Sequence, residues 1–186
     1  MLNNVEYLTM TELEAGLEDI SQAPKDNGTL RMIVRRPDED EREVLSEGQL
    51  DLQEGLVGDT WNVRVSSHSI DGKPNLYAQI TIMNARVTAL LAQSEERWPL
   101  AGDQLYVDFD LSDENIPPGT RLWIGSAMIE VSAEPHSGCK KFSSRFGVEA
   151  MKFVNSPEGK RLHLRGINAK VIQPGTIRVG DTISKI

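Results

Sequence analysis

Short strand-like stretches, each closed by a glycine or proline signal, recur along most of this 186-residue chain. That rhythm constrains the fold more than any other feature of the sequence. "TLRMIVRRP" (29–37) reads as a strand ended by Pro37, and "LYAQITIMN" (76–84) as another. "DQLYVDFDL" alternates strictly: Leu105, Val107 and Phe109 share one face, while Tyr106, Asp108 and Asp110 share the other, solvent-facing one. "RLWIGSAMIEVSA" (121–133) reads as one long strand bent or bulged at Gly125. The C-terminal "RLHLRGINAKVIQPGTIRVGDTISKI" reads as strands joined by a Pro174-Gly175 turn. Gly-Asp pairs at 58–59, 102–103 and 180–181 add further turn signals. The expected class is mainly β with short helices, arranged as a barrel.

Helices are excursions from this pattern. In "TELEAGLEDISQAP" Thr11 and Glu14 have capping-box spacing, Leu13, Leu17 and Ile20 recur at helical spacing, and Pro24 stops the run. Asn84 is placed to cap "ARVTALLAQ". "GCKKFSSRF" and "VEAMKFVN" read as two short helices parted by Gly147, and the acidic "DEDERE" (38–43) as a solvated loop. No fixed-period repeat, low-complexity linker or boundary interrupts the chain, so residues 1–186 are expected to form a single domain.

The net charge of -8 is unevenly spread. Residues 131–186 carry ten basic and four acidic side chains, whereas residues 1–130 carry ten and twenty-four. An acidic chain lacks the basic surface that general nucleic-acid binding needs. A basic C-terminal segment suits a small anionic ligand, or simple charge balance within one fold. No run approaches the ~20 apolar residues that span a bilayer, and the acidic start resembles neither a signal nor a transit peptide. One cysteine makes no internal disulfide. The expectation is a cytoplasmic protein with no nucleic-acid or membrane partner.

That cysteine, Cys139, lies in "AEPHSGCKKFSSRFG". Glu134-Pro135-His136 leaves a strand and forms a loop; Ser137 is positioned to cap a helix beginning near Cys139, and Lys140, Lys141 and Arg145 add positive charge. Such surroundings favour the thiolate, the nucleophilic and metal-ligating form. The competing reading is an inert cysteine packed beside Phe142 and Phe146. In "KRLHLRG" (160–166), read as a strand, Arg161, His163 and Arg165 share one face that would hold an anion, or answer acidic surface elsewhere. Gly166 would permit close approach of a ligand or backbone. His136 and Cys139 have metal-like spacing, but a structural zinc needs four ligands. A Cys/His catalytic pair would require His68 or His163. There is no phosphate-binding glycine loop.

At these residues the sequence resembles the MOSC domain family, named for the C-terminal domain of molybdenum cofactor sulfurase. The resemblance runs from "GLVGDTW" (55–61) through "QITIMNARVTALLA", "WPLAGDQLYVDFDLSDENIPPGTRLWIG" and "IEVSAEPHSGCKKFSSRFG" to "LRGINAKVIQPGTIRVGDTI". It is clearest over 55–186, with 1–54 supplying a helix and strand packed onto the same barrel. It implies a MOSC-type β-barrel, like the pyruvate kinase β-barrel domain, with Cys139 as the key residue. One implied activity is carriage of sulfur as a cysteine persulfide toward the molybdenum cofactor or metal-sulfur centres. A cysteine desulfurase or a molybdenum-cofactor enzyme is then the partner. The alternative is molybdenum-cofactor binding through Cys139, with reduction of N-hydroxylated compounds. His136, Lys140, Lys141, Arg145, Arg161 and Arg165 become candidate contacts to the anionic cofactor. No aminotransferase-like half is present, so pyridoxal phosphate is not expected to bind. A third possibility is a non-enzymatic module for an anionic small molecule, with Cys139 structural.

Overall fold

The structure, a computed structural model, describes residues 5–64 and 71–186. His68 lies outside them. The chain opens with α1 (Met10–Ala15) and α2 (Leu17–Ser21). The capping box is Thr9 with Glu12, not Thr11 with Glu14: Thr9 Oγ1 accepts from Glu12 N, and the Glu12 carboxylate accepts from Thr9 N at 2.8 Å. Both pairs have the right spacing, and the earlier one adds two residues to the helix. Gly16 parts the two helices, and a Cβ there would lie 2.4 Å from Leu90 Cδ2. Glycine at this point lets the helical pair sit against its neighbour.

Strands β1 (Gly28–Arg35), β2 (Glu43–Leu45), β3 (Glu47–Asp51) and β4 (Gly55–Leu56) follow. After the described residues resume, a short 3-10 turn (Leu76–Ala78) leads into β5 (Ile80–Asn84) and α3 (Ala85–Ala92). Asn84 caps α3 as expected, its side chain accepting from Arg86 N at 2.8 Å. A 3-10 segment (Glu95–Ala101) returns the chain to β6 (Leu105–Asp108). The crossover is required because β5 and β6 pair in parallel, which no tight hairpin can achieve.

The stretch read as one long strand is a hairpin, β7 (Arg121–Ile124) and β8 (Ala127–Val131). Gly125, with φ +57, forms the turn, and a Cβ there would meet Thr176 O at 2.3 Å. Three short helices come next, α4 (Lys140–Phe146), α5 (Val148–Asn155) and α6 (Pro157–Arg161). The chain closes with β9 (Ile167–Gln173), β10 (Gly175–Arg178) and β11 (Thr182–Lys185).

Seven strands close a barrel in the order β1-β11-β7-β8-β9-β5-β6, with β6 pairing back to β1 and β2 appended to β1. β10, β3 and β4 form a second, three-stranded sheet. The inward faces fill the barrel with Leu30, Ile33, Ile82, Leu105, Val107, Phe109 and their neighbours. A bulge between Leu30 and Met32 changes the phase of β1, which is how Leu30 and Ile33 both face inward. The outward face of this wall is not solvated. Tyr106 is fully buried there with Met32, Val34 and Met83 under a layer built from Leu13, Leu91, Trp98, Phe142, Phe146 and Phe153. The expectation of a solvent-facing Tyr106 fails because α3, α4 and α5 cover that wall. Asp108 stays at the edge, paired with Arg86 at 2.8 Å.

Candidate functional site

Residues 132–139 connect β8 to α4; two side chains from other elements fix their backbone and a third holds the His136 side chain. Asn168 of β9, itself buried, donates to Glu134 O at 3.1 Å and Pro135 O at 3.2 Å. Asn155, at the end of α5, grips Gly138 at both polar atoms: its Oδ1 accepts from Gly138 N at 2.9 Å and its Nδ2 donates to Gly138 O at 3.1 Å. Between them, His136 Nε2 meets Asp103 Oδ1 at 2.8 Å.

Asp103 is the hub. It is wholly buried, and Arg165 NH1 reaches its second oxygen at 2.6 Å. Burial alone would raise the carboxyl pKa; Arg165 and His136 outweigh it and hold Asp103 below the usual carboxylate range, ionised. Burial, reinforced by the charge of Arg165, pushes His136 below its ordinary value. A neutral imidazole beside an ionised carboxylate must donate, which assigns the proton to Nε2. Arg165 NH2 also donates to Ala101 O at 2.9 Å, and the guanidinium stacks 4.9 Å from the Phe142 ring centroid. Gly166 admits a backbone rather than a ligand, for a Cβ there would lie 2.3 Å from Ile82 O and 3.2 Å from His136 Cδ2.

Cys139 is exposed, whereas Phe142 and Phe146 are buried below it, so the thiol is not part of their packing. The helix starts at Lys140, which makes Cys139 itself the N-cap. Its backbone is extended and its carbonyl accepts from Ser143 N at 2.9 Å, but no side chain among the described residues caps the end. Ser137 therefore does not cap. It stands two residues too early, and Asn155 has already taken the intervening Gly138.

The face expected on 160–166 does not form. Ser156 accepts from Gly159 N at 2.9 Å and Pro157 occupies the first turn, so the segment begins as α6 rather than as a strand. A turn with His163 at φ +50 then reverses the chain. The three side chains diverge in consequence: Arg161 pairs with Glu158 at 2.6 Å on the surface, His163 with Asp113 at 2.7 Å, and Arg165 turns inward to Asp103. Lys140 and Lys141 are exposed, and Arg145 donates to Leu100 O at 2.9 Å.

Cations from the N-terminal half complete the site. Arg36 forms a two-pronged pair with buried Asp59 at 2.9 and 2.7 Å and donates to Gly102 O at 3.2 Å. Burial of Asp59 is outweighed by Arg36, which keeps its carboxyl below the usual range. Arg36, Trp61, Arg64 and His136 line a cleft of about 270 Å³. Arg64 also lines a larger cleft of about 470 Å³ with Arg42, Thr60, Lys141 and the acidic residues 38–40. Burial and then Arg145, Arg36 and Arg64 lower the Arg42 pKa, and its Nε is buried without a hydrogen-bond partner among the described residues. The sequence reading missed Arg36, Arg42 and Arg64 because they lie far from Cys139 along the chain. For Asp59 and Asp103 a signal was present: both belong to Gly-Asp pairs read only as turns.

Among the described residues no three His, Cys, Asp or Glu side chains converge to hold a metal ion, and no helix is long and apolar enough to cross a membrane.

A closed seven-stranded barrel, with a helical layer over one wall and one exposed cysteine on a clamped loop beside arginine-lined clefts, defines the class. The profile of the MOSC domain family matches residues 77–184, more than half of the chain, and the chain belongs to that family. YuaD of Bacillus subtilis has a similar structure, with 16% identity and a TM-score of 0.58 over 84% of this chain and 94% of that one. YiiM of Escherichia coli is similar at 18% identity and a TM-score of 0.55, over 85% and 69% of the two chains. YiiM of Geobacillus stearothermophilus gives 13%, 0.52, 87% and 73%. At these identities the likeness is one of fold. No curated protein matches the sequence.

Proposed function

We propose that this MOSC-family protein handles sulfur at Cys139, accepting it as a persulfide for transfer toward the molybdenum cofactor or a metal-sulfur centre. The observation that carries the reading is an exposed, sole cysteine on a loop whose backbone is fixed at Glu134, Pro135 and Gly138 and whose His136 side chain is anchored to Asp103. Pre-fixing a nucleophile reduces the entropy lost on reaching its reactive geometry. In the step, the Cys139 thiolate attacks the terminal sulfur of a donor persulfide. The donor S–S bond breaks, a new one forms at Cys139, and the donor leaves as a thiolate, so no oxidant is needed.

Direct binding of the molybdenum cofactor is a second reading, favoured by one further observation. Arg42 carries an orphaned, buried Nε beside Arg145, Arg36 and Arg64, a donor set that fits an anionic group. Arg42, Arg145 and Lys141 would hold the cofactor's phosphate and Cys139 would ligate its metal. When bound, that cofactor supplies two-electron redox chemistry, including reduction of N-hydroxylated compounds. The protein's own part is to orient the thiol and neutralise the phosphate.

The test is to incubate reduced protein with a cysteine desulfurase and cysteine, wild type beside Cys139→Ser, and weigh the intact chain. A gain of one sulfur atom in wild type alone supports sulfur carriage. No gain in wild type, or equal gain in both, sinks it. Molybdenum and pterin bound to wild type and absent from Cys139→Ser would favour the second reading.

A further inference from the structure

Two of the carboxylates that follow β1, Glu39 and Asp40, lie near cations while remaining largely exposed. Asp40 Oδ1 lies 3.4 Å from Lys141 Nζ and 3.4 Å from Arg145 NH2, and Glu39 Oε1 lies 3.7 Å from Lys141 Nζ. Lys141 is two residues from Cys139. All three contacts are longer than the about 2.7–2.9 Å of a well-formed charge-assisted hydrogen bond. The Asp40 and Lys141 side chains are 63% and 61% exposed, so the loop is held loosely.

Arg42 shows what kind of group these carboxylates stand in for. Its NH1 donates to the Glu41 carbonyl at 2.6 Å, its Nε is buried and unpartnered, and no carboxylate pairs with it among the described residues. The ends of Arg42 and Arg145 converge over Gly102, where a Cβ would lie 3.9 Å from a nitrogen of each, and Arg36 donates to the Gly102 carbonyl. Guanidinium groups gathered this closely repel one another unless an anion sits among them.

We propose that Asp40 is an internal competitor: its carboxylate occupies an oxyanion position formed by Lys141 and Arg145 beside Arg42, and an anionic ligand takes that position, next to the exposed Cys139, by displacing the 38–41 loop. The ligand class is a small molecule carrying a carboxylate, phosphate or sulfonate. The inference rests on Cys139 being the reacting group, as proposed above. Asp40 has φ +58, a left-handed conformation that Asn tolerates equally, so Asp40→Asn removes the charge without straining the loop.

The experiment compares two aromatic disulfides, dithiobis(nitrobenzoate), which carries two carboxylates, and the neutral dithiodipyridine. In each, the Cys139 thiolate attacks one sulfur, the reagent's S–S bond breaks, a mixed disulfide forms and one aryl thiolate leaves and is measured by absorbance. With a single cysteine the readout is one to one. The ratio of the anionic to the neutral rate constant rises about threefold to tenfold in Asp40→Asn at low ionic strength, and the gain shrinks as salt is added. Glu39→Gln moves it less, in the same direction. Adding Lys141→Ala to Asp40→Asn takes the gain back. A ratio unchanged by Asp40→Asn, while Cys139 still reacts quickly, overturns the competitor. Slow reaction of both reagents in every variant overturns the reading of Cys139, and the competitor falls with it.

Discussion

His136 Nε2 stands 2.8 Å from Asp103 Oδ1, and that contact ties the cysteine loop to the segment entering β6. Arg165 holds the other carboxylate oxygen from the turn that precedes β9. The loop is therefore set by a buried ionic hub belonging to the barrel wall, not by the helix it leads into. The thiol is exposed; what positions it is not.

Removing the hub leaves Arg165, whose side chain is 8% exposed, without its anion. Asp103→Ala should cost about 3–5 kcal/mol of stability, the usual effect of breaking a buried pair from one side. Denaturant unfolding measures it. Adding Arg165→Met removes the stranded charge and keeps apolar contact with Phe142, so the double variant should regain part of the loss. A double variant no more stable than Asp103→Ala would contradict the pairing.

Acidification should weaken the protein in two stages. His136 has a folded pKa below its ordinary 6.5, so the unfolded chain takes up the proton first and stability falls as pH drops through that value. Asp103 and Asp59 are also depressed, from 3.8, and their contribution is present above that pH and is lost as pH falls through the lower folded values. Each group adds a slope of at most about 1.4 kcal/mol per pH unit. His136→Gln should abolish the first stage and leave the second, as read from denaturation midpoints across the range.

The Asn155 clamp on Gly138 has its own signature. Asn155→Ala should cost about 1–2 kcal/mol, and the Gly138 amide should exchange hydrogen faster than in wild type. Cys139→Ser, at an exposed site, should stay within about 0.5 kcal/mol of wild type. Unchanged exchange at Gly138 in Asn155→Ala would mean that something else holds the loop.

Period-two alternation in β6 and the stop signal at Pro37 made the barrel legible, because strand faces follow from local geometry, whereas Gly125, read as a bend within one strand, is the turn of a hairpin. What alternation does not encode is what lies outside the wall, so Tyr106 was misplaced. The segment at 160–166 failed for a different reason. Its apparent alternation competed with Ser156-Pro157-Glu158, a helix-start signal that was written in the sequence and decides the local structure. Cys139 could be picked out because it is unique. Its supports could not: Asn155 and Asn168 are brought to its loop by closure of the barrel and its covering layer, which no short-range pattern records, and the Gly-Asp pair that holds Asp103 reads locally only as a turn.

The arginines of the cleft carry the last expectation. Arg42 faces Arg145, Arg36 and Arg64, and no carboxylate pairs with it among the described residues, so it opposes folding while it favours an anion. Arg42→Met keeps much of the side chain's apolar length and removes the charge. It should stabilise the anion-free protein by about 0.5–1 kcal/mol, the scale of surface-charge optimisation. Wild type should gain thermal stability when phosphate is added, because an anion that binds the folded state alone shifts the equilibrium toward it. Arg42→Met should lose most of that gain. A variant less stable than wild type in dilute buffer, yet equally responsive to phosphate, would show that Arg42 is a packing residue and that the cleft's charge lies elsewhere.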